Sequence, residues 1–273
     1  MINKKGQREG FGKYFLSDGS IYKGFFHQNK MEGRGRIINI NGFVYEGEFK
    51  NGKSNGYGKY IALDGTSYKG TWLDDKQSGT GNEIYPDGSF YNGNFKNGKK
   101  NGFGKLVFKD KNIFEGYFLN NEINGEGAYY WKDGRIYIGK WKDNKMNGYG
   151  IFIWPDKKKY YGNYINNLKE GFGIFYWNYG YKYEGFWKEG KQNGYGIISN
   201  NNGNKYGYWN NGKLGNKIND EKTINHINKI INDTKNEKEY NNFLLNISKY
   251  EKQIIDGSSS QDTNFNSKDK EKK

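Results

Sequence analysis

The chain has no cysteine, and only two prolines, two histidines and three methionines in 273 residues. Without thiols there is no disulfide framework, no thiolate metal site and no cysteine nucleophile. Prenylation and palmitoylation are excluded for the same reason. A reducing, intracellular compartment is the expectation. His27 and His226 stand far apart in sequence, so no histidine metal site is expected. Long apolar runs are missing as well. No hydrophobic stretch follows Met1, and no run approaches the roughly 20 apolar residues of a spanning helix. Neither a signal peptide nor a transmembrane segment is expected, so any membrane contact is peripheral.

What the chain has in quantity is glycine, 41 residues, with 25 Tyr, 18 Phe and 7 Trp. Aromatics with glycine favour strands joined by tight turns. The chain also carries 44 Lys and Arg against 30 Asp and Glu, a net charge of +14. Residues 1–215 hold 33 of those cations and 20 of the carboxylates, so the surplus lies there. A basic surface attracts anionic partners and also keeps a protein soluble.

These residues recur at a fixed period. An aromatic stands at Tyr22, Tyr45, Tyr68, Tyr91, Phe114, Tyr137, Tyr160 and Tyr183, each 23 residues after the last. Each is followed two residues on by a glycine (Gly47 after Tyr45) and two further by a second aromatic (Phe49). A Gly-x-Gly pair comes next, as at Gly56 and Gly58, and most copies close on a turn such as Asp64-Gly65. A strict period of this length marks a repeat array. Residues 1–21 read as the second half of a truncated copy, and a degenerate copy ends the array near Gly215.

Within each copy, alternation of large apolar and charged residues predicts two strands. Asn51-Gly52 predicts the tight turn between them. Three glycines per copy are expected to leave gaps in which neighbouring rings lie. The expected fold is all-β: an elongated, twisted antiparallel meander of hairpins over residues 1–215. Residues 216–256 change character. Ile224, Ile227 and Ile231, then Phe243, Ile247, Tyr250 and Ile254, follow helical spacing and predict a short amphipathic α-helical segment. Residues 257–273 are polar and charged, and disorder is expected there.

The pattern from Tyr45-Glu46-Gly47-Glu48-Phe49 through Asn51-Gly52-Lys53 and Gly56-Tyr57-Gly58 to Asp64-Gly65 resembles the MORN (membrane occupation and recognition nexus) repeat. Eight full copies in phase carry the resemblance over about three quarters of the chain. It implies a non-enzymatic protein. The family supplies scaffolds at membrane–cytoskeleton junctions and in ciliary and flagellar structures. Phosphoinositide binding has been attributed to its repeats, and self-association is common in it. The partners so implied are other proteins, a second copy of the chain (a homodimer) and an anionic membrane surface.

Two sets of residues are candidate sites. Lys30, Lys53, Lys76, Lys99, Lys145 and Lys191 share one turn position, and stacked hairpins would line them up as a ladder for acidic lipid. Lysine at exposed turns also serves solubility and opposes edge-to-edge association. The second set lies on the strand face opposite the glycines. That face reads Arg34, Arg36 and Ile38 in the first copy but Tyr149, Ile151 and Ile153 in the sixth, and Phe172, Ile174 and Tyr176 in the seventh. An apolar face on a single layer must be covered or must bind something. Residues 149–198 are therefore expected to be the main protein-contact region. The C-terminal helical segment is expected to cover the apolar end of the array; binding another chain is the alternative.

No catalytic or cofactor site is expected. Gly47, Gly52, Lys53 and Ser54 satisfy the phosphate-loop spacing, but that loop must open a helix, and here it is one phase of the repeat. Nucleic acid is not expected as a partner, since the rings are assigned to packing and single-strand binding needs exposed ones.

Overall fold

The computed structural model describes residues 2–238 and 240–245. It contains a single 19-stranded antiparallel sheet in which each strand lies beside its sequence neighbours, an open meander. The strands run from β1 (Gly10–Phe15) to β19 (Lys213–Ile218) and are followed by helix α1 (Glu221–Lys235). This is the all-β meander with a short C-terminal helix that the repeat pattern predicts. The sheet continues to Ile218, past the array end expected near Gly215. Residues 240–245 are helical again. Ile247, Tyr250, Ile254 and residues 257–273 lie outside the described residues. The chain forms two compact units, one of residues up to 136 with 140–145, the other of residues 137–139 with 146 onward.

Each repeat is built on one tyrosine. Tyr45 opens β4 (Val44–Lys50), and Gly47 and Gly58 face each other across the pair formed with β5 (Lys53–Ile61). The Tyr45 ring lies over both glycines, and a Cβ added to either would overlap the ring or the opposite backbone. The Tyr45 hydroxyl then donates to the carbonyl of Glu48 at 3.0 Å. Tyr22, Tyr68, Tyr91, Tyr160 and Tyr183 repeat this bond, each to the carbonyl three residues on. A buried hydroxyl left without a partner would cost about 1–3 kcal/mol, so this bond is what makes tyrosine acceptable there. Phe114 takes the position in one repeat and removes the hydroxyl instead.

The rings also link repeats. Tyr22 meets Phe26 of its own copy edge to face at 5.0 Å and Phe49 of the next at 5.1 Å. Tyr45 does the same with Phe49 and Trp72, both at 5.1 Å. In the C-terminal unit Tyr160 sits between Tyr164 and Trp187. Edge-to-face pairs add about 0.5–1.5 kcal/mol beyond their burial. Tyr22, Tyr68, Tyr91, Tyr137, Tyr160 and Tyr183 are among the largest fully buried side chains, and Tyr45 is nearly so.

The third glycine does something else. Gly56 was expected to open a ring gap with Gly58. It lies in a β-bulge instead, where the register shifts between Gly47 and Phe49, and its φ is 99°. Two glycines per copy seat the ring and one turns the backbone.

Turns hold their geometry through sequence change. Asn51 and Gly52 both have positive φ, as the mirror-image hairpin turn requires. Asn120-Asn121 and Asn166-Asn167, where the Asn-Gly-Lys motif is lost, keep it with φ between 49° and 76°. Asn in the second position adds a bond. The side chains of Asn121, Asn144 and Asn167 accept from the main-chain N–H groups of Lys100, Ile123 and Met146 at 2.8 Å, tying each turn to the preceding copy.

Gly12 occupies the ring-seating position in the truncated first copy. No tyrosine precedes it, and a Cβ there would meet nothing within 4 Å. Gly58→Ala is therefore expected to lower stability by about 1–3 kcal/mol through overpacking. Gly12→Ala should leave it unchanged, and urea denaturation of the two variants measures the contrast.

Candidate functional site

With one face given to stacked rings, the turn edges and the opposite face remain for partners. The ladder lysines are on the turn edge. Lys30, Lys53, Lys76, Lys99, Lys145 and Lys191 each begin the second strand of their hairpin, and all are exposed. Two strands per copy set Lys30, Lys53, Lys76 and Lys99 about 10 Å apart along the edge. Among the described residues none of the six is in an ion pair; Lys30 reaches the Asn51 side chain at 3.5 Å. Glu122 and Leu168 interrupt the row. Gly52 and Lys53 belong to a hairpin turn entering β5, so the phosphate-loop spacing opens a strand here.

The face opposite the rings differs between the units. In the C-terminal unit it carries a core of its own. Phe172, Ile174 and Ile197 pack with Ile227 and Ile231 of α1 and with Tyr240, and Tyr149, Phe186, Tyr195 and Phe243 close around them. Tyr240 meets Tyr149 and Phe172 edge to face at 5.7 Å. Of the expected protein-contact residues, Tyr149, Phe172 and Ile174 thus lie beneath the chain's own helical segment. Ile151 is buried, Ile153 half-buried, and Tyr176 stays exposed beside Tyr161. The apolar face is covered in cis, because α1 supplies isoleucines at helical spacing where the strands supply Ile and Phe.

A buried carboxylate anchors the helix. Glu184, 8% exposed, receives Lys235 of α1 at 2.5 Å and Lys182 at 2.6 Å. Burial pushes its acid up, but the hydrogen bonds and charges of the two lysines outweigh that and hold it below the ordinary value. At the other end of α1, Asp220 caps the helix by accepting from the Thr223 N–H at 2.8 Å.

One feature had no sequence signal. The Lys169 ammonium sits among four rings, 4.6 Å from Trp187, 4.8 Å from Phe175, 4.9 Å from Tyr160 and 5.2 Å from Trp154. Burial lowers its pKa to about 8. Lys100, at the same repeat position, is paired with Glu83 at 2.9 Å; the residue equivalent to Glu83 in the later copy is Phe152. The rings repay part of the cost of burying the ammonium.

Among the described residues no group of three or more His, Asp or Glu is placed to hold a metal ion. No helix there is long and apolar enough to cross a membrane.

Two pH effects follow. Glu184 has a lowered value in the folded state, so its contribution is present above the ordinary 4.5 and is lost as pH falls below it. Helix α1 should loosen in that acidic range, and Glu184→Gln should remove the dependence, as read by hydrogen exchange at Ile227 and Ile231. Lys169 is a base with a lowered value, so the fold gains stability as pH rises from about 8 toward 10. Lys169→Met, copying Met146 of the preceding copy, should raise the melting temperature at pH 7 and abolish that gain.

No curated protein matches the chain. Among solved structures, it is similar to the TCP domain of Drosophila melanogaster SAS-4 (dCPAP), solved in complex with a proline-rich motif of Ana2 (dSTIL). The identity is 16%, over 58% of this chain and 84% of that one, with a TM-score of 0.36. A virginiamycin B lyase from Staphylococcus aureus, inactive and solved with quinupristin, shares 10% identity over 81% of this chain and 73% of its own, with a TM-score of 0.16. Scores this low carry no argument about fold or function. The family comparison is of another order. The MORN repeat model matches nine consecutive segments, residues 4–21, 22–42, 45–67, 68–90, 91–113, 114–134, 137–159, 160–178 and 183–205. These segments coincide with the ring-and-glycine units of the sheet, and the chain belongs to the MORN repeat family.

Proposed function

We propose that this protein is a non-catalytic scaffold that gathers a protein assembly at a membrane–cytoskeleton junction or in a ciliary or flagellar structure. MORN repeats are interaction modules for proteins and membranes. The observation that carries the scaffold reading is the division of labour between the two faces. The stacked tyrosines use one face to hold the array together. The other face presents side chains in register, strand after strand, and in the C-terminal unit it seats an amphipathic helix. A surface that already accepts one helix by packing and ion pairing is suited to protein recognition.

The lysine ladder favours a second reading, peripheral binding to phosphoinositides or other acidic lipids. Six exposed amines, none of them paired with a carboxylate among the described residues, share one turn position. Each lysine near an acidic membrane is worth about 1 kcal/mol. Against this, Glu122 and Leu168 break the row.

Vesicle sedimentation separates the two. On the scaffold reading the protein stays in the supernatant with phosphatidylcholine vesicles containing phosphoinositide. Changing Lys30, Lys53, Lys76 and Lys99 to Glu leaves its neighbours in proximity labelling unaltered. Salt-sensitive sedimentation that disappears in the quadruple variant overturns the scaffold reading in favour of the lipid one.

A further inference from the structure

The helix-bearing face of the C-terminal unit has an uncovered counterpart in the N-terminal unit. Across six consecutive strands there, the middle row of this face reads Lys13, Lys23, Arg36, Glu46, Lys59 and Lys69. Each stands directly opposite the next in the register. All six are exposed, and the one ion pair among them is Arg36 with Glu46 at 3.8 Å. On the turn side of this row lie three large rings. Phe11, Phe25 and Tyr57 are 51%, 49% and 52% exposed, and Phe11 meets Phe25 edge to face at 5.3 Å. The three rings and the cations Lys23, Arg34, Arg36 and Lys59, with Glu46 and Glu48 among them, line a shallow groove of about 570 Å³.

Counting by whole repeats shows what sits at the same positions in the C-terminal unit. Lys59 corresponds to Ile151, Ile174 and Ile197; Lys23 corresponds to Glu184; Tyr57 corresponds to Tyr149 and Phe172; Phe25 corresponds to Phe186. There the occupant is known. Ile227 and Ile231 of α1 cover the middle row, Tyr240 covers the rings, and Lys235 answers Glu184. The seat is the same in both units, with the sign of its centre reversed. In the N-terminal unit five cations and one carboxylate replace the isoleucines and Glu184. An occupant that lies across this face must bring apolar side chains to the rings and carboxylates to the middle row. Copies of α1 do not qualify, because α1 has three lysines against Glu221 and Asp233. Opposed charge at such a surface raises the rate of encounter and selects the partner.

We infer that the face of the N-terminal unit marked by Phe11, Phe25, Tyr57, Lys23, Arg36 and Lys59 docks an acidic amphipathic helix of a partner protein, in the manner of α1 on the C-terminal unit. This rests on the scaffold reading and gives its partner a chemistry.

The probe is a fluorescein-labelled, hydrocarbon-stapled peptide of the α1 sequence with Lys222, Lys229 and Lys235 changed to Glu. Its comparators are the stapled natural sequence, a 15-mer of deoxythymidine and phosphatidylserine vesicles. The full-length protein should bind the acidic peptide at least about tenfold more tightly than the natural one. Lys23→Glu with Lys59→Glu should reverse that order, and Phe25→Ala with Tyr57→Ala should weaken both peptides. These positions are exposed, and an unchanged melting curve shows that the variants fold. Equal affinity for the two peptides, or no binding of the acidic one, overturns the inference. So does binding of the oligonucleotide or the vesicles that the Lys23 and Lys59 changes abolish. Peptide failure without vesicle binding leaves the scaffold reading standing, whereas vesicle binding through the turn lysines removes both.

Discussion

The structure depends on a phenol ring lying flat across two bare α-carbons. Tyr45 illustrates it: Gly47 and Gly58 face each other beneath the ring, Phe49 and Trp72 close its sides, and the main-chain carbonyl of Glu48 accepts a hydrogen bond from its hydroxyl. Away from the strands that α1 covers, the sheet is a single layer and cannot use the usual second layer to bury its side chains. The ring supplies a covering one side chain thick. Glycine lets the ring come down onto the backbone, and the edge-to-face neighbours exclude water from its rim. Each repeat contacts chiefly its neighbours, so stability accumulates along the chain as it does in other repeat arrays.

With one face given to cohesion in every copy, the sequence of the other varies from copy to copy. The ring positions keep an aromatic in every copy, while the position that is Lys59 in one copy is Ile151, Ile174 and Ile197 in others. Where that face became apolar, the chain carries its own helix to cover it, fixed by Lys235 on Glu184. Where it stayed charged, it needed no cover to be stable in water. The two units are thus one backbone design with two different surfaces.

Much of this was legible from the sequence because the 23-residue period repeats its own instructions. Tyr, Gly and Gly-x-Gly fix strands, turns and the buried face, and Ile224, Ile227 and Ile231 announce the helix. The role of Gly56 was not legible. Simple alternation places it beside Gly58 on one face, whereas a bulge between Gly47 and Phe49 breaks the alternation. The surroundings of Lys169 were not legible either. Of its four rings, Phe175 shares its strand, but Trp154, Tyr160 and Trp187 come from other strands and loops, and no local pattern around Lys169 announces them. The cover over Ile174 was largely legible: the apolar face and the amphipathic helix could both be read, and the helical segment was expected to cover the apolar end of the array, as it does; which side chains meet could not be read.

The tyrosine that spans a repeat boundary has a consequence for how such a chain changes length. Tyr22 rests on Phe49 just as Tyr160 rests on Trp187. If a duplication or excision removes or adds a block of 23 residues, wherever its ends fall, the rejoined chain again puts an aromatic beside each phenol. A block that is not a whole number of 23-residue units would set rings over side chains downstream. Unequal recombination is therefore filtered at the level of folding, and arrays of this kind are free to lengthen or shorten by whole units while remaining in phase.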